Sequence, residues 1–134
     1  MLFRSVRREG RDATIVAWGT PVHWALRAAG KLAKEGHEAE VIDLRTIVPL
    51  DFATVAASVR KTGKLLIVHE DHITQGFGAE VAARAAAELF EWLDAPVGRV
   101  GAKDVPVGFA RVLEREILPQ EDDVLTALRT LVKY

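Results

Sequence analysis

A chain of 134 residues with 49% apolar and 28% charged side chains suits one globular domain, large enough to bury roughly two-thirds of its unfolded surface. A net charge of −1, with no Lys/Arg stripe interleaved with aromatics, gives no electrostatic case for nucleic acid. The absence of cysteine excludes disulfides, thiol catalysis and zinc–thiolate sites and suits an intracellular protein; no apolar run approaches the roughly 20 residues of a membrane span.

Leu2 to Glu9 roughly alternates and is strongly charged, which predicts a short edge strand. Ala13 to Trp18 is a continuous apolar run, a strand buried on both faces. Gly19-Thr20-Pro21 then predicts a helix start, with Thr20 as the cap and Pro21 at the first helical position. Val22, Ala25, Leu26, Ala29, Leu32 and Ala33 recur at helical spacing as its core stripe, and Gly36 ends it. On that phasing Trp24 falls on the far side with Ala28 and Lys31, either exposed or covered by a partner.

Glu40 to Leu44 is the next strand, and Asp51 caps a helix whose core side is Phe52, Val55, Ala56 and Val59. Gly63 ends that helix. Lys64 to Val68 follows as a central parallel strand, after which polarity switches abruptly to His69, Glu70, Asp71 and His72 in the loop beyond. A third helix is predicted from about Ala79 to Leu93, with Val81, Ala82, Ala85, Ala86, Leu89, Phe90 and Leu93 inward and Glu80, Arg84 and Glu88 as a charge ladder. Pro96 to Val100 is a last short strand. Residues 101–119 read as irregular with one helical turn near Arg111 to Glu116. Glu121 opens a final helix with core residues Val124, Leu125, Leu128, Leu131 and Val132.

Alternating strands and helices imply a three-layer α/β/α sandwich with a mostly parallel sheet. If strand 64–68 flanks strand 13–18 on the side opposite strand 39–44, the first two helices lie on opposite faces. A crevice is then expected between the Gly19-Thr20 and His69–Gly76 loops, where open α/β sheets bind ligands.

His69, Glu70, Asp71 and His72 admit three readings: a metal cluster, a His–Glu acid–base pair, or solvated residues at a strand end. No distant third ligand is signposted for a metal, and no nucleophile accompanies the pair. Gly76-Phe77-Gly78 lacks the third glycine of a dinucleotide fingerprint, and Gly19-Thr20-Pro21 lacks the Lys-Ser/Thr of a phosphate loop. Either helix start offers free N–H groups to an anion, as every helix start does.

Five stretches recur in one known order: Val41 to Asp51, Lys61 to Gly63, Val68 to Asp71 with Gly76 to Glu80, Leu93 to Val100, and Leu118 to Gln120. Together they resemble the C-terminal domain of the beta subunit of thiamine diphosphate-dependent 2-oxoacid dehydrogenases, within the transketolase C-terminal domain family. The resemblance implies a five-stranded mixed sheet with an antiparallel edge strand. It also implies an assembly domain of a pyruvate or branched-chain type enzyme, in the cytoplasm of a bacterium or archaeon or in the mitochondrial matrix. Beta subunits also carry an N-terminal pyrimidine-binding domain, absent from these 134 residues, which supplies their cofactor contacts and catalytic histidine. Thiamine diphosphate and magnesium are therefore expected in the complete enzyme and not on this domain, and His69 is not expected to be a catalytic base.

The implied partners are an alpha subunit, the pyrimidine-binding domain, a second beta subunit and, in some complexes, the subunit-binding domain of the dihydrolipoyl acyltransferase. Interface candidates are Trp24, His69, Glu70, Asp71, Phe77, Asp94 and Tyr134; no catalytic, cofactor or metal residue is assigned. Asp94 matches a family position that presents a carboxylate at the twofold axis, and the terminal carboxylate on Tyr134 is a second candidate. The chain departs from the family at Thr74-Gln75-Gly76-Phe77, where Thr-Gly-Gly-Phe is common, and at Val105 to Phe109, where Pro-Tyr or Pro-Phe is usual. Alternative readings are the C-terminal domain of a transketolase-like or deoxyxylulose-phosphate-synthase-like enzyme, or a free-standing anion-binding regulatory module.

Overall fold

The computed structural model describes residues 4–134, so Leu2 and Phe3 of the expected edge strand lie outside the described residues. The strands are β1 (Ser5–Arg8), β2 (Ala13–Ala17), β3 (Ala39–Asp43), β4 (Leu65–His72) and β5 (Gly98–Ala102), in the order β1-β3-β2-β4-β5. β2 pairs in parallel with β3 and with β4, β4 pairs in parallel with β5, and β1 runs antiparallel to β3.

The helices are α1 (Pro21–Ala33), α2 (Phe52–Thr62), α3 (Phe77–Glu88), α4 (Arg111–Ile117) and α5 (Glu121–Leu131), with a 3-10 turn at Phe90–Trp92. Strand side chains alternate between two cores, as the period of two requires. Ile15, Val41, Leu66 and Val68 pack under α1 and α5. Val16, Ile42, Leu65 and Ile67 pack under α2 and α3. The result is the expected α/β/α sandwich, with β2 and β4 central and α1 and α2 on opposite faces. Among the described residues no helix is long and apolar enough to cross a membrane.

Local chemistry sets most boundaries. Asp51 Oδ1 accepts the Thr54 amide at 3.1 Å and caps α2. Gly63 ends that helix in the left-handed region, at φ +70°, and donates to the Val59 carbonyl at 2.7 Å. A polar network then fixes α2 on the sheet: Thr14 Oγ1 lies 2.6 Å from Ser58 Oγ and 2.7 Å from Thr62 Oγ1. Beside it the buried Glu40 carboxylate pairs with Lys61 and accepts the Gly10 amide at 3.3 Å. Burial alone raises the Glu40 carboxyl, but hydrogen bonds led by Lys61 outweigh it and hold it below the usual range.

Four expectations need correction. Thr20 is helical and its side chain caps nothing, so Pro21 alone sets the start of α1. The core stripe of α1 includes Ala28 as well, and Trp24 joins Leu26 half-buried against the same core. The reason is α5, which packs alongside α1 and ties to it through Arg27–Glu121 at 2.5 Å and Lys31–Glu121 at 2.8 Å, and to the turn after it through Arg129–Glu35 at 2.6 Å. α3 begins at Phe77 and stops at Glu88. Leu89 leaves helical geometry at φ −124°, which turns Phe90 out of the core to 77% exposure, and Ala86 is exposed too. Finally, β4 does not end at Val68; it continues through His72, which pairs with Ala102 of β5.

Candidate functional site at the carboxyl end of β4

The four polar residues His69 to His72 thus lie on a strand, and the pleat sends them to different surroundings. His69 is fully buried. Its ring stacks on Trp18, with centroids 5.3 Å apart and planes inclined by 12°, and Phe77 meets Trp18 edge-on at 5.7 Å. These three rings occupy the place between β2 and β4 where an open crevice is expected. His69 Nδ1 donates to the Asp71 carbonyl at 3.1 Å, which leaves Nε2 buried and without a partner. Burial pushes the imidazole below the usual histidine range; Asp71 pulls it back and Arg99 pushes it further down.

Glu70, Asp71 and His72 are exposed. Asp71 is committed locally: Oδ1 accepts the His72 amide at 2.8 Å and Oδ2 accepts the Phe77 amide, the first of α3, at 3.4 Å. His72 Nε2 donates to the Val105 carbonyl at 3.1 Å. The two imidazoles therefore point apart, and among the described residues no three His, Asp or Glu side chains form a metal-ligand set. An acid–base pair of His69 with Glu70 is not assembled either, because the His69 ring is sealed and Glu70 is turned outward.

The loop after β4 is pinned on β5. Arg99 Nη1 donates to the Ile73 carbonyl at 2.6 Å, and Thr74 gives its amide and hydroxyl to Asp104 at 3.1 and 2.5 Å. Those two hydrogen bonds hold the Asp104 carboxyl below the usual range. Gln75 sits in the left-handed region at φ +63°, alone in this among the described non-glycine residues.

Residues 4–124 match the family model described as transketolase, C-terminal domain. The chain belongs to that family. It is 49% identical over 124 residues to the pyruvate dehydrogenase E1 component subunit beta-2, mitochondrial, of Oryza sativa subsp. japonica, covering 92% of this chain and 33% of the relative. It is 44% identical over 129 residues to the 2-oxoisovalerate dehydrogenase subunit beta 2, mitochondrial, of Arabidopsis thaliana, covering 96% and 36%. Among solved structures, a split gene transketolase described as an inactive beta4 tetramer superposes with a TM-score of 0.82 at 32% identity, covering 97% of this chain and 41% of that one. The chain thus spans about a third of the length of the curated relatives it matches.

The left-handed Gln75 holds a conformation that glycine adopts without strain. The Val105–Phe109 segment, with Val112 and Leu113 of α4, forms an exposed apolar surface; Phe109 is fully exposed and Val112 is 79% exposed. Sequence reading missed this surface because short irregular stretches carry no periodicity. It also missed Trp18 as a site residue, reading it only as a strand end.

Asp94 and Tyr134, far apart in sequence, line one groove with Ala82, Ala86, Phe90 and Pro96. Trp24 is remote from them, in a shallow depression with Arg27, Lys31 and Glu121.

The strand ends at the switch point are plugged by Trp18, His69 and Phe77. A Cβ built on Gly19, at the start of α1, would lie 3.8 Å from Glu70 Oε2, so a carboxylate faces that helix start.

Proposed function

We propose that residues 1–134 act as one non-catalytic assembly domain of a 2-oxoacid dehydrogenase beta subunit of the pyruvate or branched-chain type. The complete enzyme would use thiamine diphosphate and magnesium, held elsewhere, for oxidative decarboxylation. The observation that carries the reading is the 49% identity to a pyruvate dehydrogenase beta subunit across 92% of the chain. The packing of His69 under Trp18, with Glu70 turned outward, fits a structural role for the polar end of β4.

The partners of this reading are an alpha subunit, a pyrimidine-binding domain and a second beta subunit. The exposed Val105–Leu113 surface suits such a contact, because a patch of this kind on a chain of 134 residues calls for a cover. Glu70, Asp71 and the rim of Phe77 lie at the opposite end of the same loop system, within reach of a partner. The groove holding Asp94 and Tyr134 is offered to the basic subunit-binding domain of a dihydrolipoyl acyltransferase. The compartment in this reading is the mitochondrial matrix or the cytoplasm of a bacterium or archaeon; the two plant relatives are described as mitochondrial.

A transketolase-like enzyme is the second reading, favoured by the superposition on the split gene transketolase. The anion-binding module is disfavoured by Glu70 beside Gly19. Sedimentation velocity of the chain mixed with an alpha subunit and with an isolated pyrimidine-binding domain of a 2-oxoacid dehydrogenase tests the proposal. A heteromeric boundary is expected, weakened by Phe109→Ser with Val112→Ser. Assembly only with the corresponding piece of a transketolase would move the assignment to the second reading.

A further inference from the structure

His69 is a titratable ring in a sealed cage, and glycines make the cage possible. A Cβ on Gly78 would lie 2.2 Å from His69 Nε2, one on Gly101 would lie 2.7 Å from Cε1, and one on Gly76 would lie 3.2 Å from Cε1. α3, β5 and the β4–α3 loop therefore each press backbone against the ring, while Trp18 of β2 covers its face. Nδ1 spends its proton on the Asp71 carbonyl, so Nε2 is a bare lone pair directed at the Gly78 backbone.

A proton added there creates an N–H in a dry site with no acceptor in front of it, a costly arrangement. The charged groups around the ring offset this only in part. On β4, the Asp71 carboxylate attracts the added charge but is already engaged by the His72 and Phe77 amides, and Glu70 is turned to Gly19. On β5, Arg99 repels a second cation. β2 presents only the Trp18 indole, whose face gives an imidazolium partial relief. α3 presents Phe77 and Gly78 at the positive end of the helix dipole, and the one acid of its first turn, Glu80, is exposed.

One wall of the cage is weaker than the others. β4 is held by ladders on both sides up to Val68, and by the His72–Ala102 pairing with β5 beyond the irregularity at His69–Asp71. The start of α3 has no cap from Gly76, and its first amide reaches Asp71 only at 3.4 Å. We propose that His69 is a proton-operated latch on α3: when Nε2 takes a proton, the first turn of the helix, with the Thr74–Gly76 loop, lifts off β4 while the sheet stays closed. Lifting hydrates Nε2 and exposes Phe77, so the acidic end of β4 and the loop beyond it change together. The depressed basicity of His69 keeps the latch closed at neutral pH and places its opening below the ordinary histidine range.

Amide hydrogen exchange of the full 134-residue chain between pH 7.5 and 5, with the His69 ring followed by NMR, tests this. Protection factors of the 77–80 amides, corrected for intrinsic rates, are expected to be flat above the ordinary histidine value of 6.5. Below it they fall by roughly tenfold per pH unit until His69 itself titrates. Amides of β2 and α5 keep their protection over the same interval. His69→Asn retains a donor at the Nδ1 position and does not titrate, so its 77–80 profile should be flat. His72→Gln should leave the wild-type fall intact, and this comparison decides the matter if the His69 variant does not fold. Titration of His69 at 6.5 without loss of protection, or a fall shared equally by every element, overturns the latch.

Discussion

Asp94 is fastened to Gly63: its amide donates to the Gly63 carbonyl at 2.7 Å, and its carboxylate lies against the Gly63 Cα. The contact exists because Gly63 has no side chain; a Cβ there would stand 2.1 Å from Asp94 Oδ2. The helix stop of α2 thus also positions the carboxylate that rims the Tyr134 groove. Gly63→Ala meets both the left-handed backbone and this contact. The backbone term alone is about 1–2 kcal/mol, and displacement of Asp94 adds to it. The urea midpoint is expected to fall at unchanged slope, and an unchanged midpoint would sink the claim.

Gln75 provides the opposite case, a side chain where glycine is the easier residue. Gln75→Gly removes left-handed strain but enlarges the unfolded ensemble, so the net change should stay within about 1 kcal/mol. Gln75→Val adds a β-branched side chain at φ +63° and should destabilise by about 1–3 kcal/mol. Thermal unfolding of the two variants side by side checks the order. Valine as stable as glycine would mean that the loop has rearranged.

Much of this architecture is legible in the sequence, and the misses share a physical origin. The apolar runs of β2, β3 and β4 announce central strands because parallel strands are buried on both faces. Asp51, Gly36 and Gly63 mark helix ends through local hydrogen bonding. What is not legible depends on remote cover. Ala28 and Trp24 look solvent-facing until α5, almost 100 residues away, is laid beside α1. His69 looks like the first residue of a loop because polarity usually ends a strand. Only the glycines at 76, 78 and 101, brought together by the fold, show that a histidine is packed there as a core ring.

The Glu40–Lys61 pair gives a pH dependence with a definite sign. Hydrogen bonds from Lys61 and its neighbours overcome the effect of burial and lower the folded-state value of Glu40 below its ordinary 4.5. Its contribution is therefore complete above the ordinary value and is lost as pH falls through the lower, folded value. The Glu40 hydrogen bond raises Lys61, whose share is lost only as pH rises through its folded value, above the ordinary 10.5. Lys61→Met leaves the carboxylate buried without its cation and should destabilise by about 1–3 kcal/mol at neutral pH, discounted for the half-exposed lysine. The deficit should shrink in acid as Glu40 is protonated. A deficit constant from pH 7 to pH 3 would show that the pair acts only through packing.

The last expectation concerns the groove that joins Asp94 to Tyr134. Asp94 is exposed at its rim, held in place by Gly63, and Tyr134 lines the same groove. The Asp94 carboxylate beside the apolar surface of Ala82, Ala86 and Phe90 suits a basic partner with an apolar centre, as the proposed acyltransferase domain would be. A salt bridge left in water contributes about 0–1 kcal/mol, whereas one desolvated at the centre of an interface costs several kcal/mol when cut. Asp94→Asn keeps the backbone bond to Gly63 and so removes charge without removing structure. It should weaken binding of the subunit-binding domain by roughly tenfold at low salt, and the loss should shrink as salt rises. Glu88→Gln, whose carboxylate is already paired with Arg84 at 2.9 Å on the outer face of α3, should change little. Titration calorimetry of both variants gives the comparison, and equal affinities at low salt would remove Asp94 from the docking surface.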